Sequence, residues 1–174
     1  SLADPEATQR AMAESNLVIS LLPPSMHPPM AKQALEAGCH FLTASYQDET
    51  LLQLHSEALQ KGVAIVSECG LDPGIDHITA LHLLDKVRLS AKEITTFYSL
   101  AGGLLSSTAE TNPWNYKFTW NPWNVIRAGK GGGTALEDGS AHLLIYPEMF
   151  QHRLPIQLHN GEEFEAYPNR DSLS

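Results

Sequence analysis

Cysteine is scarce in this chain: Cys39 and Cys69 are the only two in 174 residues. Two thiols cannot build a disulfide framework and suit a reducing compartment, so a cytoplasmic protein is expected. Basic charge is scarce as well. Lys and Arg total 11 against 20 Asp and Glu, a net charge of −9, which argues against a nucleic-acid or anionic-membrane partner. No apolar run reaches membrane-spanning length, and the N-terminus lacks a basic-then-apolar signal. Phosphate-cradling glycine motifs are missing too. No G-x-G-x-x-G follows a strand pattern, and Lys130-Gly131-Gly132-Gly133 lacks the lysine and hydroxyl of a P-loop. Neither H-E-x-x-H nor paired C-x-x-C occurs, and His77 and His82 are five apart, poor spacing for two ligands on one helix face. No metal is expected, although His27 and His40 also raise the question.

What is present reads as a globular α/β chain, with 43% hydrophobic residues and 18% charged. Asp4 and Pro5 open a helix within residues 1–15. An apolar run at 16–22 ends at Pro23-Pro24, and further strand patterns lie at 40–45 and 63–66. Helical patterns separate them, from about Met26 to Ala37, closed by Gly38, and from Asp48 to Lys61, closed by Gly62. Helices alternating with short apolar strands predict a doubly wound, Rossmann-like parallel sheet. Near residue 90 the pattern changes. Residues 93–100 alternate as an antiparallel strand does, with more strand pattern at 116–120 and 141–146 and a short helix predicted from Pro122 to Ala128. Residues 1–90 are therefore expected to be the later part of a dinucleotide-binding domain, and residues 91–174 part of an α+β substrate domain. A doubly wound domain ordinarily opens with strand, glycine loop and helix. This chain opens on a helix and a strand typical of such a domain's middle, so it is expected to be part of a longer polypeptide and inactive alone.

The most informative stretch is Ser67-Glu68-Cys69-Gly70-Leu71-Asp72-Pro73-Gly74-Ile75-Asp76-His77. It joins a strand pattern to a helix pattern with two glycines, a proline and two carboxylates in the turn. In an α/β sheet such a loop lies at the carboxyl edge of the strands, where ligands bind. Its helix N-terminus is expected to offer free N–H groups there. The plainer alternative is a simple connection with Asp76 as N-cap. Cys69 could be a nucleophile of lowered pKa, but with no evident base it reads as a small packed residue. The loops Leu22-Pro23-Pro24-Ser25 and Ser45-Tyr46-Gln47-Asp48 should reach the same edge. Far downstream, the guanidinium of Arg170 suits a substrate carboxylate; the alternative is a surface ion pair with Asp171.

GLDPGIDH, read with Ala44-Ser45-Tyr46 and with Tyr167-Pro168-Asn169-Arg170-Asp171-Ser172, resembles saccharopine dehydrogenase of the glutamate-forming type, also called the saccharopine reductase family. The resemblance runs from Ile19 to Ser172. It implies an oxidoreductase of lysine metabolism that interconverts saccharopine with L-glutamate and 2-aminoadipate 6-semialdehyde, using NADP or NAD. By the same resemblance Leu22, Ala44, Ser45, Leu71, Asp72, Pro73 and Asn121 lie on the cofactor side, and Ser45, Tyr46 and Arg170 hold substrate. No general base stands out. Asp72 and Tyr46 are candidates, and water could serve.

The chain departs from the family at two places. Leu105-Ser106-Ser107-Thr108 stands where relatives usually carry Pro-Ala-Pro-Glu, and Ala101 stands where they often carry cysteine. A related reductase of another amino-acid-derived imine, such as a carboxyspermidine-type dehydrogenase, is the alternative substrate reading, and a non-catalytic scaffold of the same fold is the alternative outside enzymes. A sheet-forming second domain of this kind often makes a homodimer.

Overall fold

The computed structural model describes residues 4–90, 92–106, 108–109, 112–114, 116–118, 121–123, 129–168 and 170–171. The chain divides into two compact units, Ser1–Ser99 and Leu100–Ser174.

In the first unit the elements run α1 (Pro5–Ala13), β1 (Leu17–Ser20), a 3-10 turn, α2 (His27–Glu36), β2 (His40–Thr43), α3 (Glu49–Gln53), α4 (His55–Lys61), β3 (Ile65–Val66) and α5 (Ile75–Leu89). Local signals set most of these boundaries. The Asp4 carboxylate accepts from the Ala7 amide at 3.0 Å and Pro5 opens α1. Asp48 caps α3 in the same way, through the Leu51 amide at 2.9 Å. Gly38 and Gly62 follow α2 and α4 with φ of 71° and 66°, the left-handed conformation that ends helices.

The three strands pair in parallel in the order β1-β2-β3. The register sets Val18 beside Phe41 and Ser20 beside Thr43, with Phe41 beside Ile65. Alternate side chains take opposite faces. Val18, Phe41 and Ile65 face a core with Met12, Ala31, Ala34, Cys39 and Leu51. Leu17, Ile19 and Val66 lie on the other face and are exposed. Phe41 is fully buried, so this one ring anchors the helix layer to the central strand.

The second unit holds β4 (Gly133–Glu137), β5 (Ser140–Leu144), β6 (Leu154–Gln157), β7 (Glu163–Ala166) and β8 (Arg170–Asp171). β4 pairs antiparallel with β5 and parallel with β8, and β6 and β7 form a separate hairpin. The β4–β5 turn is Asp138-Gly139, with φ of 49° and 76°, the positive-φ pair that matches the twist of a two-residue hairpin. The strand expected at 93–100 is absent, because a strand needs a ladder partner and none pairs with it among the described residues. Residues 116–118 are likewise irregular. The helix expected at 122–128 lies mostly outside the described residues, as do 119–120.

Candidate functional site

The site is built from main chain first. β2 ends at Thr43, β3 at Val66, and the loops after them are laced together. The Cys69 amide donates to the Thr43 carbonyl at 3.1 Å, and the Glu68 amide to the Ser45 carbonyl at 2.9 Å. Within the second loop, the Gly70 amide donates to the Pro73 carbonyl at 2.9 Å. Two glycines make this closeness possible. A Cβ on Gly70 would lie 3.0 Å from the Ala44 carbonyl oxygen. Gly74 has φ of 143°, and a Cβ there would lie 2.7 Å from the Glu68 carbonyl oxygen. The peptide between Asp72 and Pro73 is cis.

The helix N-terminus differs from expectation in two ways. Gly74, not Asp76, is the N-cap residue of α5. The amides of Ile75 and Asp76 are not free, since they donate to the carbonyls of Gly70 and Leu71, each at 3.0 Å. The loop's own carbonyls fill the helix end that a ligand would otherwise use. Asp76 turns back instead: its carboxylate accepts from the Gly74 amide at 2.9 Å and meets His77 Nδ1 at 3.0 Å. Burial pushes the Asp76 carboxyl upward, but the hydrogen bonds from His77 and Gly74 outweigh it and hold the group below the usual carboxylate range. The bond to Asp76 raises His77, with Asp72 and Glu68 adding to it.

On this frame sit the side chains expected from sequence. The Tyr46 hydroxyl donates to the Asp72 carboxylate at 2.7 Å, joining the two loops. Ser45 is half-buried and its hydroxyl lies 2.8 Å from His27 Nε2. Leu22 and Ala44 are half-buried, Leu71 and Asp72 are exposed, and Pro73 is buried, its carbonyl engaged by Gly70. Asn121 and Arg170 belong to the second unit. The Asn121 side-chain Oδ1 accepts from the Trp123 amide at 3.0 Å. Arg170 opens β8, paired with Gly133 of β4.

His27 was legible only as a candidate metal ligand. It is instead the centre of a buried hydroxyl cluster. Its Nδ1 lies 2.9 Å from Ser20 Oγ, and its Nε2 lies 3.0 Å from Thr43 Oγ1 as well as beside Ser45. Burial lowers its pKa and favours the neutral ring, an effect that the Asp48 carboxylate opposes without reversing. His40 accepts from the Ala64 amide at 3.0 Å. Among the described residues no three His, Cys, Asp or Glu side chains gather as a metal site. Cys69, expected to be packed, is exposed, because the loop laces through its amide and leaves the side chain outside.

The residues of this edge fit one end of a nicotinamide dinucleotide and not the other. Residues 21–26, 44–48 and 67–74 contain no Lys or Arg but include Asp48, Glu68 and Asp72. Carboxylates suit the cationic oxidised nicotinamide and its hydroxyl-bearing ribose, and repel phosphates. A groove of about 220 Å³ in this unit runs instead beside Leu51, His55, Leu59 and Ile65. The candidate site is thus an open edge.

The chain is similar to known proteins along nearly its whole length. The family model described as the saccharopine dehydrogenase NADP binding domain matches residues 1–66, and that of the saccharopine dehydrogenase C-terminal domain matches residues 70–174. An Arabidopsis thaliana protein named alpha-aminoadipic semialdehyde synthase is 36% identical over 99% of this chain and 16% of its own. The saccharopine dehydrogenase [NADP(+), L-glutamate-forming] of Pyricularia oryzae is 35% identical over 97% of this chain and 38% of its own. Apo saccharopine dehydrogenase (L-Glu forming) from Saccharomyces cerevisiae superposes with a TM-score of 0.82 at 32% identity, over 99% of this chain and 39% of that one. The chain thus spans well under half the length of these relatives. No described helix is long and apolar enough to cross a membrane. Matched by the two domain models in succession, the chain belongs to the saccharopine dehydrogenase family.

Proposed function

We propose that the polypeptide containing this chain interconverts saccharopine with L-glutamate and 2-aminoadipate 6-semialdehyde, as an NADP-dependent oxidoreductase of lysine metabolism. The observation that carries this reading is the Tyr46–Asp72 pair at 2.7 Å, held at the carboxyl edge by main-chain bonds of a family-matched loop. The bound cofactor supplies hydride acceptance from the carbon of the secondary amine. What this chain supplies is binding, orientation and proton handling. Oxidation of that C–N bond leaves an imine, and water adds across it to release the aldehyde and the amine of glutamate. Protons must leave nitrogen and then water during these steps. In this reading Asp72 takes one and Tyr46, through its hydrogen bond, holds Asp72.

Leu22, Ala44, Ser45, Leu71, Asp72, Pro73 and Asn121 are assigned to the nicotinamide side. Ser45, Tyr46 and Arg170 are assigned to the substrate, Arg170 by a carboxylate grip. NADP is favoured over NAD because the matched domain model is of the NADP-binding kind. Residues 1–90 are assigned to the dinucleotide-binding part and 91–174 to the substrate part. We place the protein in the cytosol, consistent with two free thiols, and as a homodimer. The chain by itself, without a phosphate-binding loop, is expected to be inactive.

The test is saccharopine-dependent reduction of NADP and of NAD by the full-length polypeptide, with Arg170→Ala alongside. Turnover that weakens in the variant through a raised KM supports the reading. Cofactor binding without saccharopine turnover overturns it and moves the substrate to another amino-acid-derived imine.

A further inference from the structure

Three hydroxyls at the carboxyl edge converge on a single imidazole. Ser20 is the last residue of β1, and Thr43 is the last residue of β2 and its register partner. Ser45 lies in the loop beyond. His27, the first residue of α2, drops its ring among them and is only 2% exposed, and Ser20 and Thr43 are buried as well. Nδ1 meets Ser20 at 2.9 Å, and Nε2 meets Ser45 at 2.8 Å and Thr43 at 3.0 Å. Thr43 Oγ1 also accepts from the Ser45 amide at 3.2 Å, so Ser45 is held at both its main chain and its side chain. The Phe41 ring packs edge-on to the imidazole, with centroids 6.4 Å apart.

A cluster of this kind has a cost unless every polar atom is partnered, and here each ring nitrogen is. Apolar side chains would close the same gap more simply. What the imidazole adds is direction. Ser45 is the one member of the cluster that is half-buried rather than buried. We propose that His27 is the positioning residue of this edge, fixing the Ser45 hydroxyl, and the β2 loop with it, for the nicotinamide cofactor and the amino-acid ligand. The inference rests on the functional reading above, since it takes Ser45 to be a ligand contact. The tautomer sets what Ser45 presents. With the ring proton on Nδ1, Nε2 accepts the Ser45 proton and Ser45 meets ligand as an acceptor; with it on Nε2, Ser45 keeps its own proton to donate.

The variants that test this differ in reach. Glutamine at position 27 places a polar atom near that of Nε2, whereas asparagine reaches only the place of Nδ1. In the full-length polypeptide, NADPH affinity by fluorescence titration, KM and kcat for saccharopine, and Tm are measured for His27→Gln, His27→Asn, Ser45→Ala and the double variant. His27→Asn weakens the same binding constant that Ser45→Ala weakens, by about tenfold, with kcat changed less. His27→Gln recovers most of that loss. The double variant binds no worse than Ser45→Ala. Multiplied losses in the double variant, equal losses in His27→Asn and His27→Gln, or a Ser45→Ala that changes no binding constant would each overturn the proposal. A lowered Tm with unchanged binding assigns His27 to folding alone and overturns it too. Absence of saccharopine turnover in the unmodified protein instead strikes the functional reading; NADPH affinity in the same variants still decides the role of His27.

Discussion

The Tyr46 hydroxyl and the Asp72 carboxylate meet at 2.7 Å although 26 positions separate them in sequence. Each sits on a different loop, and those loops are joined by two main-chain hydrogen bonds just before the contact, at Thr43 and Ser45. The pair is therefore a product of sheet topology and not of local sequence.

If the pair handles protons in the reaction, its members act as one. Asp72→Asn should lower kcat for saccharopine oxidation by about 10²-fold. Tyr46→Phe removes one hydrogen bond to the carboxylate and should lower it by about tenfold. The double variant should fall no further than Asp72→Asn. Steady-state rates with the full-length polypeptide check this, and losses that multiply would separate the two residues.

The two glycines Gly74 and Gly62 both have positive φ but answer to different neighbours. Around Gly62 nothing lies within 4 Å of an added Cβ, whereas at Gly74 the Gly70 amide nitrogen would stand 2.8 Å away. Gly62→Ala should cost about 1 kcal/mol, the left-handed penalty alone. Gly74→Ala should cost about 3 kcal/mol or more and weaken NADPH binding, because the loop must open. Denaturant unfolding of the two variants measures the difference; equal losses would sink the argument.

The Asp76–His77 pair predicts a titration. His77 should have its midpoint above the ordinary imidazole value, and Asp76→Asn should bring it back down, as read by NMR of the ring. Its folded pKa is raised, so the stability His77 contributes is fully present below the unfolded value and fades as pH rises through the folded one. Asp76 works in the other direction. Its contribution is present above the unfolded carboxylate value and fades as pH falls through the lowered folded one. The pair thus supports the loop between those limits. A His77 midpoint at or below about 6.5 would contradict the contact.

The thiols should react very differently. Cys39 lies in the core beside Met12 and Phe41, and burial pushes its thiol up, opposed by a backbone hydrogen bond at Val18. Cys69 is exposed at the site loop. Iodoacetamide should label the Cys69 peptide at least about 10²-fold faster than the Cys39 peptide, with the difference abolished in urea. Peptide mass spectrometry reads both.

Much of the first unit was legible because its signals are local. Asp4 with Pro5, Asp48, Gly38 and Gly62 each act within a few residues, and each marks the boundary it suggests. The second unit carries fewer local signals, and the clearest of them is a turn. Asp138-Gly139 is a hairpin turn in two letters, and it would have placed β4 and β5 together. Residues 93–100 mislead for the opposite reason: their alternation is real, but alternation cannot say whether a partner strand is there. At the site, GLDPGIDH identified the loop while hiding that its carbonyls occupy the helix end. His27 escaped because its partners lie 7, 16 and 18 positions away. Spacing alone does not connect a helix histidine to hydroxyls on two strands and a loop.

The lacing of Thr43 to Cys69 and of Ser45 to Glu68 uses only main-chain atoms. These two bonds do not depend on which side chains the loops carry, glycines apart, and the Tyr46–Asp72 and Gln47–Glu68 contacts are added on top of them. Positions 46, 71 and 72 can then be exchanged as a set while the scaffold beneath them holds. A frame of this kind lets the side chains above it be rewritten in a few letters without being rebuilt itself.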